Sequence, residues 1–166
     1  IDSPVAELFL AGDQRGAPAS AAIRPKVARL IDQAELICYP MGSFYSSVIA
    51  TLLPTGVCPA VAAAGCPKVH VPNVAGDSEQ LGLSLADGVA VLLDYLRRGC
   101  GQKVAVDQVL NLVIVDSANA VYPGGPPDLA AIRRLGVEVI DVPLVSEQSA
   151  PYLDPARLLE VLLSLA

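Results

Sequence analysis

Four short apolar runs dominate the chain: ELICY at 35–39, KVHV at 68–71, LNLVIVD at 110–116 and VEVIDV at 137–142. The first is stopped by Pro40 and Gly42, the second by Pro72, and the third runs into a polar loop. Runs of this length, rich in Val and Ile and closed by breakers, read as buried strands. Between them, apolar residues recur at helical spacing: Ile23, Val27, Leu30 and Ile31, then Val48, Ile49, Leu52 and Leu53, then Leu85, Val89, Leu92, Leu93 and Leu96. A helix between consecutive strands supplies the crossover that parallel pairing needs. The chain is therefore expected to be an α/β fold, a mostly parallel sheet with flanking helices.

Local signals set the expected boundaries. Glu7–Leu10 reads as a short strand and Gly12–Ser20 as a loop, followed by a helix over Arg24–Gln33. A helix starting near Ser43 stops at Pro54, and VCPAVAAAG at 57–65 forms a second short one. Ser84 and Asp87 make a capping box for a helix ending at Arg97, Arg98 and Gly99. A short helix spans Asp128–Leu135, and the last one takes Asp154 as its N-cap and Pro155 at its first position. No repeat with a period of 20–50 residues interrupts the pattern.

Composition narrows the function classes. Hydrophobic residues are 53% and charged ones 17%, which excludes disorder. Apolar stretches such as VAVLL at 89–93 are too short for a spanning helix of about 20 residues, so no membrane partner is expected. No basic segment leads into an apolar core at the start, and a cytoplasmic location is expected. Eleven Lys and Arg against 17 Asp and Glu give a net charge of -6, the wrong sign for a nucleic-acid partner. Cys38, Cys58, Cys66 and Cys100 form no CxxC pair and have one His for company, so neither a zinc site nor any other metal centre is expected, and all four are read as reduced thiols. The chain begins at Ile1 and its one Met is Met41, so the numbering starts after processing or inside a longer product. The high apolar fraction fits a piece of a larger α/β unit whose other half would cover the remaining surface.

Chemistry is expected where strands end. GSFYSS at 42–47 joins the first strand to a helix. Unpaired N–H groups at a helix start, reached through small residues, favour an anion such as phosphate. Gly42, Ser43, Tyr45, Ser46 and Ser47 are the candidate contacts; the alternative is a tight turn at Gly42 with a serine that merely caps the helix. Asn73, after the second strand, is either a further ligand contact or a turn former. Asp116, with Ser117 and Asn119 after the third strand, either orients a ribose hydroxyl or a metal, or begins the turn. No Walker or GxGxxG motif is present, GSFYSS is not GxSxG, and no Asp lies between Ser47 and His70, so hydrolase chemistry is not supported. His70, inside KVHV, reads as a strand residue rather than a base.

AELICYPMGSFYSS at 34–47, followed by IATLLPTGVCPAV, resembles a segment of the CofD-like and gluconeogenesis-factor proteins that runs roughly ADLIVLGPGSLYTS and then IPNLLVPGI. Gly42, Ser43, Tyr45 and Ser47 match, and Ser46 stands for Thr. KVHV with Asn73, and the ending YLDPARLLEVLLSL, are similar to the family's next strand and closing helix. The resemblance implies a Rossmann-like fold that opens on a phosphate-binding GGGTG segment. This chain lacks that segment and so resembles the carboxyl-terminal part of such a domain over residues 1–166. One branch of the family transfers a phospholactate group from a guanylated donor to a deazaflavin precursor; another binds nucleotide sugars and supports cell shape on gluconeogenic carbon sources. Two departures stand out: Pro40-Met41 replaces Gly-Pro, and VAGDSEQLG replaces the MTQPGET of the gluconeogenesis branch. The expectation is a homo-oligomeric binding or regulatory protein for a nucleotide-linked small molecule. The alternatives are a 2-phospho-L-lactate-type transferase, which would use Mg, and a structural or oligomerisation unit.

Overall fold

Each apolar run contributes a strand shorter than itself: β1 Ile37–Tyr39, β2 Lys68–His70, β3 Leu112–Val115 and β4 Glu138–Asp141. The computed structural model describes residues 2–13, 16–101 and 103–166. Its four strands form one parallel sheet in the order β1-β2-β3-β4, with Cys38 opposite Val69, His70 opposite Val113 and Ile114 opposite Ile140. The sheet grows in one direction, so right-handed crossovers place the connecting helices on one face.

Strand alternation divides the core between the two faces. Tyr39, Val113 and Val115 join the helical side, where they meet Val89, Leu92 and Leu96 of α4 (Leu85–Gly99) and Ile132 of α5 (Leu129–Arg134). Those three α4 residues are fully buried, each worth about 1.5–3 kcal/mol by burial alone, which makes α4 the main buttress. Ile23 and Ile31, which flank and end α1 (Pro25–Asp32), and Val57, Cys58 and Val61 of α3 (Val57–Ala63) complete this side. Val69, Val71, Ile114 and Leu144 form the opposite core, packed against Leu158, Val161 and Leu162 of α6 (Pro155–Leu163) and the following Leu165. One nine-residue helix thus covers that face. It leaves Cys38, Leu112 and Ile140 half-buried, and its own Leu159 and Leu163 are 55% and 66% exposed.

The expected boundaries are met closely. Ser84 accepts from the Asp87 N–H while the Asp87 carboxylate accepts from the Ser84 N–H, so the capping box is complete. Asp128 and Asp154 cap α5 and α6, and Pro155 opens α6. Lys68 is 4% exposed; its ammonium donates to the Ala64 carbonyl at the end of α3, where helix dipole and open carbonyls favour a cation. No helix among the described residues is long and apolar enough to cross a membrane.

Two expectations are corrected. Glu7–Leu10 is not a strand: among the described residues the pairing near it is an isolated bridge between Ala11 and Pro18, and the segment instead lies over α4, with the Leu8 N–H donating to the Tyr95 hydroxyl. Gln14 and Arg15, in the expected loop of residues 12–20, lie outside the described residues. The four cysteines are not all free thiols. Cys58 of α3 is bonded to Cys100, the C-cap of α4, while Cys38 and Cys66 are free. The absence of a CxxC excludes a chelating pair, but it says nothing about two cysteines that packing brings together from 42 residues apart. Gly99 allows that approach, because a Cβ there would sit 3.0 Å from the Cys58 Cβ.

Candidate functional site at the carboxyl edge of the sheet

The chain leaves β1 through Pro40 to Ser43 and enters a π-helical stretch, Phe44–Ile49, which runs directly into α2 (Ala50–Leu52). The aromatic pair at its start sets its orientation. Phe44 and Tyr45 are 2% and 6% exposed, their rings meet edge to face at 5.1 Å, and Tyr45 meets Tyr95 at 6.5 Å. Tyr45 is thus a core side chain, and only its backbone N–H faces the sheet edge. Ser43, Ser46 and Ser47 are exposed. The Ser43 side chain makes no capping bond, and among the described residues the hydroxyls of Ser43 and Ser47 have no hydrogen-bond partner.

The cap comes from another loop. The Phe44 N–H donates to Asp77 Oδ2 at 2.9 Å, and the Tyr45 and Ser46 N–H groups donate to Glu79 Oε2 at 2.7 and 2.8 Å. The Ser46 hydroxyl donates to Glu79 Oε1 at 2.6 Å. Burial acts to raise the Glu79 pKa, but the Ser46 hydroxyl and N–H and the Tyr45 N–H outweigh it and hold the carboxyl below its usual range. The N–H groups expected to receive an anion do receive one, supplied by the chain itself. AGDSEQLG at 75–82 reads as a polar loop in the sequence; its two acids were the available signal, and their target 33 to 34 residues upstream was not legible.

Asn73 ties the two loops together. Its Oδ1 accepts from the Gly42 N–H at 2.7 Å, and its amide nitrogen donates to the Gly42 carbonyl and to Asp77 Oδ2. Gly42 to Ser47 and Asn73 are thus brought together. Asp116 lies at the end of β3 on the same edge but is turned to another task. It is 1% exposed, and its oxygens accept from the N–H groups of Leu144, Val145 and Asn119 and from the Asn119 amide. Burial opposes ionisation, yet those donors, Val145 and Leu144 foremost, keep the carboxyl below its ordinary pKa. Asp116 therefore pins the segment after β4 to the end of β3. Ser117 is engaged likewise, donating from its N–H and hydroxyl to Asp141.

His70 is 3% exposed, and its Nδ1 donates to the Tyr39 carbonyl at 2.9 Å. Burial drives its pKa down to about 4, with only that bond pulling upward, so the ring is neutral and enclosed rather than a base at the edge. The transferase alternative implies Mg, an ion that needs oxygen ligands free to face it. Among the described residues no three His, Cys, Asp or Glu converge on one point, and Asp77 and Glu79 are already committed to backbone N–H groups. These residues alone do not fit the ion.

Beside the bridged loops lies a cavity of about 470 Å³ lined by Met41, Gly42, Asn73, Tyr152, Leu153 and Leu158. Its walls are largely apolar, and Met41 and Tyr152 are 39% and 64% exposed at its rim. Such a cleft suits the organic body of a ligand more than its charge.

Comparison with known proteins agrees with this architecture. The sequence profile of the CofD family, described as 2-phospho-L-lactate transferase CofD, matches residues 7–145. A relative from Nostoc sp., named as a gluconeogenesis factor, is 26% identical over 156 residues, covering 88% of this chain and 33% of the relative. Two crystal structures of a UPF0052-family protein from Bacillus halodurans superimpose with TM-scores of 0.70 and 0.68 at 21% and 22% identity, each over 86% of this chain and 47% of the solved one. The chain thus spans about a third of the first relative and about half of the solved structures. With its wholly parallel sheet, its flanking helices and a profile match over most of its length, the chain belongs to the CofD family.

Proposed function

We propose that this chain is the carboxyl-terminal part of a CofD-like α/β domain that binds a phosphate-containing, nucleotide-linked metabolite at the carboxyl edge of its sheet. One observation carries the reading: Asn73 joins the loops after β1 and β2 on the wall of an apolar cavity, so anion donors and a ring-sized cleft share one mouth. Ligands of open α/β sheets bind outside the carboxyl ends of the strands, where adjacent loops part. The free hydroxyls of Ser43 and Ser47 and the N–H groups of residues 44–46 serve the phosphates, and the cleft between Met41 and Tyr152 takes the organic part.

A binding role is favoured over transfer because Asp77, Glu79, Asp116 and His70, the acids and the histidine closest to the bridged strand ends, are engaged or enclosed. Asp116 is consumed by backbone N–H groups and His70 is enclosed. Under this reading, transfer of a phospholactate group, the activity that the CofD family is named for, would take its general base from a group other than Asp116 or His70.

Calorimetry with GDP and a UDP-sugar on the full-length protein tests the reading. Replacing Ser43 and Ser47 together by Ala removes two neutral hydrogen bonds of about 1 kcal/mol each and is expected to weaken binding roughly tenfold to thirtyfold. The 166-residue chain alone is expected to bind the same compounds poorly. Equal affinity with and without the two serines would reduce GSFYSS to a helix start. No binding by the full-length protein would leave a structural or oligomerisation role, and transfer to a deazaflavin precursor with added Mg would favour the enzyme.

A further inference from the structure

We propose that residues 75–82 form an acidic lid, closed in this structure, whose Asp77 and Glu79 carboxylates hold the N–H groups that a phosphate would use and must swing out before a ligand binds. The inference rests on the phosphate reading above and adds how that site is regulated. Both carboxylates sit where an oxyanion would: Asp77 on Phe44, and Glu79 on Tyr45, Ser46 and the Ser46 hydroxyl. A bound phosphate and these side chains therefore compete for the same donors.

The segment is built to move as a unit. At one end Ala75 has φ 60° and Gly76 φ 94°; at the other Gly82 has φ 80°. A left-handed alanine is disfavoured, and the two glycines permit backbone states closed to other residues. Between these hinges lies only a 3₁₀ turn, Ser78–Gln80. Its closed position is also imperfect. Gln80 is 5% exposed, and its side-chain oxygen is the one buried side-chain polar atom among the described residues without a hydrogen-bond partner. Replacing a buried orphan acceptor with water is favourable, so opening recovers part of what the broken Glu79 and Asp77 bonds lose. The Ala75 N–H, donating to the Val121 carbonyl at 2.9 Å, anchors the first hinge and Gln80 packs inward; of the restraints on the segment, the two carboxylates are the ones an anion can replace.

The test uses the full-length protein, amide hydrogen exchange without ligand, and calorimetry with GDP and with inorganic phosphate. Glu79→Ala is expected to speed exchange at Tyr45 and Ser46 at least tenfold and to tighten GDP binding fivefold to tenfold, with Glu79→Gln in between. Gln80→Leu removes the orphan oxygen and stabilises the closed lid, so it is expected to weaken GDP binding severalfold. Unchanged exchange in Glu79→Ala would overturn the lid, because the carboxylate would not be holding those groups. Freed amides with unchanged or weaker GDP affinity would overturn it as well, while leaving phosphate binding at the edge intact. Freed amides with no GDP or phosphate bound by any variant would overturn the phosphate reading and the lid with it.

Discussion

Asp116 shows how far one side chain's role depends on what lies across from it. From sequence it was a ligand contact or a turn former; in the fold it gathers backbone N–H groups from a segment 28 residues away. Asp116→Ala would strand the Leu144, Val145 and Asn119 donors in a site 1% exposed, and is expected to cost about 3 kcal/mol or more in urea unfolding. His70 sets the acid response. Its folded pKa, about 4, lies below the ordinary histidine value of 6.5, so between those values the unfolded chain binds more protons. Stability is fully present above pH 6.5 and falls as pH drops toward 4, by up to about 3 kcal/mol. Asp116, also depressed, adds a further loss below the ordinary carboxylate range. His70→Gln keeps a donor for the Tyr39 carbonyl and should flatten the slope between pH 4 and 6.5; an unchanged slope would assign it to another group.

At the level of elements, what was legible depended on range. The helix starting at Ser84 was readable because its capping box is written within four residues, and Asp154-Pro155 fixed α6 in the same way. Ser84→Ala is expected to cost about 1 kcal/mol, measured by the same urea titration. Long-range relations were not readable. Nothing in GSFYSS tells that Phe44 and Tyr45 turn inward, or that Asp77 and Glu79 supply its cap. Nothing in four scattered cysteines tells that α3 and α4 bring two of them together. Thiol titration of the denatured, unreduced protein should find two free thiols rather than four. Replacing Cys58 and Cys100 by Ser should cost about 4 kcal/mol, given a closed loop of some 42 residues.

Over the whole molecule, sequence period and connection length sufficed for the sheet. Short apolar, strand-prone runs separated by helical stretches allow few arrangements other than parallel strands laid down in order, and β1 to β4 follow that order. The segment at Glu7–Leu10 failed because a strand needs a neighbour, and none of the described residues offers one beyond the Ala11 bridge. The edge site was legible as a place, the carboxyl ends of the strands, but not as a set of contacts. The buried position of Lys68 also makes the chain its own reporter of integrity. Of its three lysines, Lys26 and Lys103 are exposed, while Lys68 offers its nitrogen to a carbonyl inside the fold. An amine-selective reagent applied to the native protein should label the two exposed lysines and spare the third. Mass spectrometry of the Lys68 peptide during denaturation would then follow, in one residue, the moment at which the carbonyl end of α3 and the start of β2 part company.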